Sequence, residues 1–362
     1  MSPTKLLACS SVLVIWVVAS SCGSHTKTAD KSRSAENQAA EAGLKINGAG
    51  ATFPAPVYAA WAGEYKKASN IELNYQAIGS GGGIKQIESR TVDFGASDDP
   101  LKREELQKNG LMQFPAIIGG VVLAYNLPDF TGQIRLDGPT VARIFSGAIT
   151  KWNDPAIARL NPGAKLPSTA LTPVYRSDAS GTTFIFTNYL SKVSPEWKAK
   201  IGNDKSVSWP TGIGGKGNPG VAAFLKQTPG GIGYVEFAYA KSNGLPTALL
   251  RNQANQFVEP STASFAAAAA NAKWNADEGF YVILTDQPGE QTWPIVGASF
   301  ILVPRKPENP ERTKAVFGFF DYALKHGAAA AEKLNYVPLP SAVTSKIESA
   351  WSTATDGART GG

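Results

Sequence analysis

Apolar residues after position 43 follow two different spacings along the chain. Residues 71–77 place an apolar side chain at every second position, which is typical of a strand with one buried face. Val57, Trp61 and Tyr65 recur at every fourth position, which is typical of a helix. The order of strand, turn and helix occurs three times by residue 105. We therefore predict an α/β fold with mixed sheets flanked by helices, whose ligands bind at the carboxyl ends of strands.

Two longer apolar segments, residues 114–125 and 293–303, predict strands that are buried on both faces. Strands of this length can cross between two lobes, and the two segments lie far apart in the chain. We therefore expect one lobe to combine residues 44–125 with residues 298–351, and the other lobe to contain residues 126–297. A ligand cleft would then lie between the lobes.

The first 21 residues have the pattern of a secretion signal. Lys5 gives a positive start, and residues 6–19 are mostly Leu, Val, Ile and Ala in a segment too short to span a bilayer comfortably. Small residues then lead to Cys22 in an arrangement that resembles a bacterial lipobox. This resemblance implies cleavage before Cys22 and acylation of its thiol. The alternative is simple cleavage that leaves a soluble protein.

Polar segments flank the part of the chain that we expect to fold. Residues 22–43 are rich in alanine and contain no aromatic residue, Val, Ile or Leu, and residues 352–362 are a shorter segment of the same kind. Such segments bury too little apolar surface to become ordered. We predict a flexible tether and a flexible tail. The protein would be held by lipid at the outer face of the cell membrane or in the periplasm.

Composition excludes several classes of function. The net charge is +6, but Lys and Arg are scattered without a basic run, so we expect no nucleic-acid binding. The two cysteines, Cys9 and Cys22, leave no thiol for a disulfide or a nucleophile in the folded part. With only His25 and His326 as histidines, most histidine-based catalysis and zinc sites are excluded. We predict a protein that is not an enzyme and has no metal or cofactor.

Hydroxyl-bearing turns stand before several predicted helices. They include residues 52–53, Ser80 with the glycines after it, and residues 180–182. Unpaired backbone N–H groups and the helix dipole favour an anion at such positions, and Arg176 adds a planar cation suited to an oxyanion. Each hydroxyl could instead be an ordinary helix cap. The turns predict an anion site only if they converge.

Two aspartates near these turns allow more than one interpretation. Asp98 could cap a helix ahead of Pro100, with Asp99 competing for that role, or it could face a bound anion that carries a proton. Asp178 stands two residues after Arg176 and is interpreted as a group that orients the guanidinium.

Five stretches of the sequence resemble the phosphate-binding proteins of phosphate-specific ABC transporters. The similarity runs in order from about Leu44 to Trp351. The stretches are GAGATFPAP at 48–56, IGSGGG at 78–83, VDFGASD at 92–98, RSDASGT at 176–182 and WPTGIGGKGN at 209–218.

This resemblance implies a two-lobed type II periplasmic-binding fold that captures inorganic phosphate outside the cytoplasm. It also implies a monomer that delivers phosphate to the membrane permease subunits of an ABC importer with separate ATPase subunits. The phosphate-binding residues implied by the family are Thr52, Phe53 through its backbone, Ser80 and Asp98 in one lobe, and Arg176, Ser180, Gly181 and Thr182 in the other.

Two positions depart from the family's pattern. Asp99 stands where a small residue can occur, and Tyr175 stands where a second basic residue can occur. Asp99 adds negative charge beside Asp98, so the local electric field of the site is open to question.

Rival functions have weaker support in the sequence. Residues 212–217 fit the dinucleotide pattern G-x-G-x-x-G, but prolines flank them and no clean strand precedes them, so we interpret them as a structural loop. A phosphate-ester or serine hydrolase using Ser180 or Ser80 lacks a G-x-S-x-G elbow and a histidine base. Another oxyanion, such as sulfate or molybdate, is disfavoured by Asp98. A surface adhesin or antigen stays open.

Overall fold

The computed structural model describes residues 43–128, 130–270 and 272–356. The strands are β1 (Lys45–Gly50), β2 (Glu72–Ala77), β3 (Phe94–Ser97), β4 (Leu111–Tyr125), β5 (Arg135–Leu136), β6 (Thr172–Arg176), β7 (Ile213–Gly215), β8 (Gly231–Glu236), β9 (Leu249–Arg251), β10 (Phe257–Val258) and β11 (Val296–Pro304). The helices are α1 (Ala55–Ser69), α2 (Ser80–Glu88), α3 (Arg103–Lys108), α4 (Gly138–Phe145), α5 (Pro155–Leu160), α6 (Gly181–Val193), α7 (Pro195–Lys200), α8 (Gly217–Gln227), α9 (Phe237–Ser242), α10 (Thr262–Ala269), α11 (Pro310–His326), α12 (Ala328–Lys333) and α13 (Ser341–Asp356).

The main sheet is mixed and has the strand order β2-β1-β3-β11-β4-β8-β6-β7. Strand β1 is parallel to β2 and β3, and β6 is parallel to β7 and β8. Strands β11 and β4 lie antiparallel between these two parallel groups. We call β1, β2, β3 and β11 the first half of the sheet, and β6, β7 and β8 the second half. A small separate sheet has the order β10-β9-β5.

Strand β4 belongs to both halves of the sheet. Its residues 111–120 pair with β11, and its residues 121–125 pair with β8. All fifteen of its residues are buried, because elements pack against both of its faces. The predicted long buried strand is therefore confirmed, and it carries the chain from one half to the other. Among the described residues, strand β11 pairs with β3 and with the first part of β4, so it lies within the first half. The expectation that this second long segment also crosses between the halves is therefore wrong, because the residues with which it pairs all belong to one half.

Aromatic side chains fill the core beside each half of the sheet. In the first half, Phe320 packs edge-on against Tyr58, Phe94 and Phe114. In the second half, the ring of Tyr234 stacks on Phe186 and Trp209 and contacts Phe145. Such pairs contribute about 0.5–1.5 kcal/mol each beyond the area that they bury. These clusters hold the strand ends that carry the candidate site.

Strand β1 is longer than the sequence pattern predicts. The alternation of apolar residues at 44–47 predicts a short strand that Gly48 would end, whereas the strand continues to Gly50. The physical reason is that the ring of Phe94 lies against Gly48. A Cβ at this position would lie 2.1 Å from the Phe94 Cζ atom. The glycine therefore admits a large ring instead of ending the strand.

Residues 212–217 differ from the predicted structural loop. Residues 213–215 form the edge strand β7, and helix α8 begins at Gly217. Pro219 fits into the first turn of this helix because the N–H that it lacks would have no intrahelical partner there. The strand begins after the first glycine of the pattern, so the strand-then-loop order of a dinucleotide site is still not met.

The predicted tail begins later than residue 352. Helix α13 runs to Asp356, because no glycine or proline interrupts it before Gly357. The signal at 1–21, Cys22, and all of the tether except Gly43 lie outside the described residues, as do residues 357–362. Within the described part of the chain, no helix has the length and apolar character needed to cross a bilayer.

Candidate anion-binding site

The candidate residues converge where parallel strands of both halves reach their carboxyl ends. Thr52 and Phe53 follow β1, Ser80 follows β2 and Asp98 follows β3 in the first half, while Arg176 ends β6 and residues 180–182 start helix α6 in the second half. Hydrogen bonds join the two groups directly. The convergence on which the anion-site hypothesis depended is thus observed.

Ser80 lies at the centre of this convergence. Its Oγ atom accepts a hydrogen bond from the Asp98 amide at 3.2 Å and another from the Gly181 amide at 3.0 Å. Ser80 is completely buried. A Cβ at position 181 would lie 2.5 Å from Ser80 Oγ and 2.7 Å from Asp98 Oδ2, so glycine is required at this position. One hydroxyl therefore connects helix α2, strand β3 and helix α6.

Three side-chain hydrogen bonds hold the Arg176 guanidinium in place. Its Nε and Nη2 atoms donate to the two carboxylate oxygens of Asp178 at 2.9 and 2.6 Å, and Nη1 donates to Thr182 Oγ1 at 3.1 Å. Burial raises the pKa of the Asp178 carboxyl, but the Arg176 guanidinium outweighs it and holds that pKa below its usual range. The interpretation of Asp178 as the group that orients Arg176 is confirmed.

Asp98 is buried and incompletely paired. It is 2% exposed, and within the described part of the chain its Oδ1 atom has no hydrogen-bond partner. Burial raises the pKa of Asp98 to about 7, while the Ser299 hydroxyl and Arg176 act in the opposite direction and Asp99 adds to the rise. Asp98 does not cap a helix, since α3 begins at Arg103. A buried carboxylate oxygen that accepts no hydrogen bond from the protein can accept one from a ligand.

Ser180 is a helix cap, and it can also serve as a ligand for an anion. It is the N-cap of α6, and its Oγ atom accepts from the Thr183 amide at 3.1 Å. Its own hydroxyl proton is still free to point to an anion. The α6 N-terminus thus offers hydroxyls, backbone N–H groups and the helix dipole at one place.

Asn218, at the start of α8, is a site residue that the sequence analysis did not single out. Its amide N and Nδ2 donate to Thr52 Oγ1 at 3.1 and 3.0 Å, and Nδ2 also donates to Thr182 Oγ1 at 3.1 Å. The Glu236 amide donates to its Oδ1 atom at 3.0 Å. Asn218 therefore fixes hydroxyls from both halves. The only signal in the sequence was its place at the end of the fifth family-like stretch.

Two tyrosines that the sequence analysis also missed hold the turn at residues 52–53. Tyr239 donates to the Thr52 carbonyl oxygen at 2.6 Å, and Tyr336 donates to the Phe53 carbonyl oxygen at 2.6 Å. The Thr52 carbonyl belongs to the same peptide group as the Phe53 N–H. The Tyr239 hydroxyl therefore polarises that peptide and strengthens its N–H as a donor.

Glu236 completes this support from behind the turn. Its Oε2 atom lies 3.0 Å from the Tyr336 hydroxyl oxygen, and Oε2 also accepts from the Ala238 amide at 2.9 Å. Complete burial raises the pKa of Glu236 well above its usual value. The Tyr336 hydroxyl therefore lies between two acceptors, the Phe53 carbonyl oxygen and Glu236 Oε2, and its proton can be directed to either one.

Comparison with known proteins defines the class. A sequence model of the periplasmic-binding-protein (PBP) superfamily domain matches residues 33–326. The fold resembles that of a putative phosphate ABC transporter substrate-binding protein from Clostridium perfringens, with a TM-score of 0.60, 18% identity, and coverage of 82% of this chain and 100% of that one. The predicted two-lobed α/β periplasmic-binding fold is confirmed.

Sequence relatives define the family more closely. The chain is 59% identical over 309 residues to the phosphate-binding protein PstS of Pasteurella multocida, covering 85% of this chain and 90% of that protein. It is 47% identical over 351 residues to PstS of Xylella fastidiosa strain Temecula1, covering 96% of each. This chain belongs to the PstS family of phosphate-binding proteins, a family of transport proteins and not of enzymes.

Proposed function

We propose that this protein captures inorganic phosphate outside the cytoplasm and delivers it to the permease of an ABC importer. The observation that carries the proposal is the buried Asp98 Oδ1 atom, which has no donor among the described residues. Asp98 contacts the N-termini of α2 and α6 and feels the positive charge of Arg176. A cation, several N–H and O–H donors and one lone acceptor are the groups that a protonated oxyanion requires. Family membership points to the same ligand.

The proposed phosphate ligands include hydroxyl and amide groups that form hydrogen bonds with one another in this structure. Arg176 supplies the charge-assisted bonds, and Asp98 accepts the proton of the anion. The hydroxyl groups can turn towards an anion because a hydroxyl rotates freely about its C–O bond. The full proposed set is Thr52, the Phe53 backbone N–H, Ser80, Asp98, Arg176, Ser180, Gly181 and Thr182.

We also propose the arrangement of the rest of the protein. Cleavage of the signal would expose Cys22 as an acylated N-terminus, and the tether after it would leave the folded part free at the membrane surface. The lobes would comprise residues 44–125 with 298–351, and residues 126–297. The protein would act as a monomer beside permease and ATPase subunits.

Calorimetric titration tests the proposed ligand. Purified protein without bound phosphate should release or absorb heat on addition of phosphate, with one site per chain, and at pH 8 it should bind sulfate or molybdate at least about tenfold more weakly. Equal affinity for sulfate would favour another oxyanion as the ligand, and no heat with phosphate would refute the proposal.

A hydrolase is the second candidate, and one observation weighs against it. His326 lies at the end of α11 and packs on Tyr322, while the Ser180 Oγ atom accepts a hydrogen bond from the Thr183 amide. Within the described residues, no hydrogen bond joins Ser180 to a histidine that could act as its base. Turnover of a chromogenic phosphate ester, lost in Ser180→Ala, would support the hydrolase instead.

A further inference from the structure

An ion pair connects the two halves of the sheet beside the candidate site. The Lys205 Nζ atom contacts Asp99 Oδ2, and the two residues are 106 positions apart in the chain. Asp99 follows strand β3 of the first half, whereas Lys205 follows helix α7, which leads towards β7 of the second half. The side chains are 12% and 28% exposed, so the pair is partly shielded from water.

Asp99 is attached to the site through its neighbours. It directly follows Asp98, and Ser97 fixes its backbone: the Asp99 amide donates to Ser97 Oγ at 3.1 Å, and that hydroxyl donates to the Asp99 carbonyl at 2.7 Å. The backbone that carries the Asp99 carboxylate is therefore fixed directly beside Asp98.

The backbone of Lys205 is hydrogen-bonded to the part of the site that the second half supplies. Its carbonyl oxygen accepts from the Ser180 amide at 2.9 Å, and Ser180 is the N-cap of α6. Its own amide donates to Asp204 Oδ1 at 2.5 Å. The ion pair thus joins two backbone segments that each supply proposed phosphate ligands.

The charges of this ion pair also change the electrostatic potential at Asp98. The Asp99 charge contributes to the raised pKa of Asp98, and Lys205 lies against that charge. Burial lowers the pKa of Lys205, but Asp99 outweighs it and raises that pKa, so the ammonium is charged near neutral pH. The negative charge of Asp99, which departs from the family's pattern, is therefore offset by the positive charge of Lys205 in the second half.

We propose that Asp99 and Lys205 form a latch that keeps the cleft closed over bound phosphate and slows its release. This inference rests on the proposed phosphate-binding function. When the halves separate, both charges must part and become hydrated, and the anion can leave. When the halves close, the latch forms beside Asp98 and neutralises the carboxylate that would otherwise repel the ligand.

The latch predicts unequal effects of its two residues. Lys205→Met leaves the Asp99 carboxylate unpaired beside Asp98 and the anion, so phosphate release should become about tenfold faster. Asp99→Ala removes the latch but also a repulsive charge, so release should become only about threefold faster. The double variant Asp99→Ala/Lys205→Met should resemble Asp99→Ala, because the second change then removes no interaction.

Release of radiolabelled phosphate into excess unlabelled phosphate measures these rates directly. Lys200→Met is the matched control: Lys200 lies on α7 in the same half, and it pairs with Glu196 at the surface, where both side chains are mostly exposed. It removes the same charge without opening a latch, and its release rate should stay within about twofold of wild type. Melting temperatures of the ligand-free variants check that each one folds.

The outcomes separate the latch from the function on which it rests. If wild type holds phosphate and Lys205→Met releases it no faster than Lys200→Met does, the latch is refuted while the binding function stands. The latch is also refuted if the effects of the two substitutions multiply in the double variant. If wild type holds no phosphate, the binding function fails and the latch with it. As a variant-free check, added NaCl should accelerate release more from wild type than from the double variant.

Discussion

Replacing Asp98 by asparagine tests how the site distinguishes phosphate from sulfate. The two anions are both tetrahedral and similar in size, but phosphate near neutral pH carries a proton and sulfate carries none. An ionised carboxylate only accepts hydrogen bonds, so it binds the phosphate O–H and repels a bare sulfate oxygen. The Oδ1 atom of Asp98 is a buried acceptor that lacks a donor in the described residues. Asp98→Asn supplies an amide that can also donate.

The structure limits the size of this discrimination. An unpaired charged acceptor in a closed cleft costs about 3–4 kcal/mol, which alone corresponds to roughly 150- to 700-fold in affinity. Sulfate can avoid that cost if Asp98 takes up a proton. Burial raises the pKa of Asp98 to about 7, so protonation at pH 8 costs only about 1.4 kcal/mol, or about tenfold. Because protonation of Asp98 costs less than leaving its charge unpaired, it limits the discrimination against sulfate to about tenfold at pH 8.

The pH dependence follows with a definite sign. Below the pKa of about 7 the carboxyl of the ligand-free site is mostly neutral and can donate to sulfate, so sulfate affinity should be nearly constant there. Above it, sulfate affinity should fall about tenfold for each pH unit, because each binding event takes up a proton. In Asp98→Asn the sulfate affinity should not vary with pH, and at pH 8 it should exceed that of wild type about tenfold.

Calorimetry at pH 6, 7, 8 and 9 with fixed salt measures both anions in both proteins. Phosphate affinity in Asp98→Asn should fall about tenfold through loss of the charge-assisted bond, so the selectivity ratio at pH 8 should shrink about a hundredfold. Asp277→Asn is the control, since it makes the same chemical change at an exposed position away from the candidate site and should leave both affinities unchanged. A sulfate affinity that is flat with pH and equal in wild type and Asp98→Asn would refute the reasoning.

Three further predictions concern the cation, the supported turn and the anchor. Arg176→Met should weaken phosphate binding at least about tenfold through loss of a charge-assisted bond of about 1.5–3 kcal/mol, and Arg176→Met/Asp178→Asn, which removes the unpaired carboxylate, should not recover it in calorimetry. Tyr239→Phe should weaken phosphate binding about three- to tenfold, because the Thr52 carbonyl loses its 2.6 Å hydrogen bond; unchanged affinity would show that the Phe53 N–H needs no such support. Cys22→Ala should move the protein from the detergent phase to the aqueous phase in detergent partition, and unchanged partition would exclude the lipid anchor.

The sequence by itself determined the local features of the fold and most of the candidate site. Alternation and four-residue spacing predicted β2 and α1, and the long apolar run predicted β4, because a strand or helix buries its apolar side chains with its own period. The hydroxyl-bearing turns and Arg176 were visible for a similar reason, since a helix start leaves backbone N–H groups unpaired wherever it occurs. These features depend on neighbours within a few positions.

Only the tertiary structure decided which groups meet. The Asn218 bonds to Thr52 join residues 166 positions apart, and the Tyr336 bond to Phe53 joins residues 283 positions apart. No local pattern specifies such pairs. The sequence left Asp98 open between helix cap and ligand, and the later start of α3 excluded the cap.

The charge of Asp99 shows the same division between local and tertiary information. The sequence displayed its negative charge beside Asp98, but Lys205, which offsets that charge, is 106 positions away and is brought near by the folded arrangement of the two halves of the sheet. Electrostatic energy depends on distance in space and on shielding from water, and folding decides both.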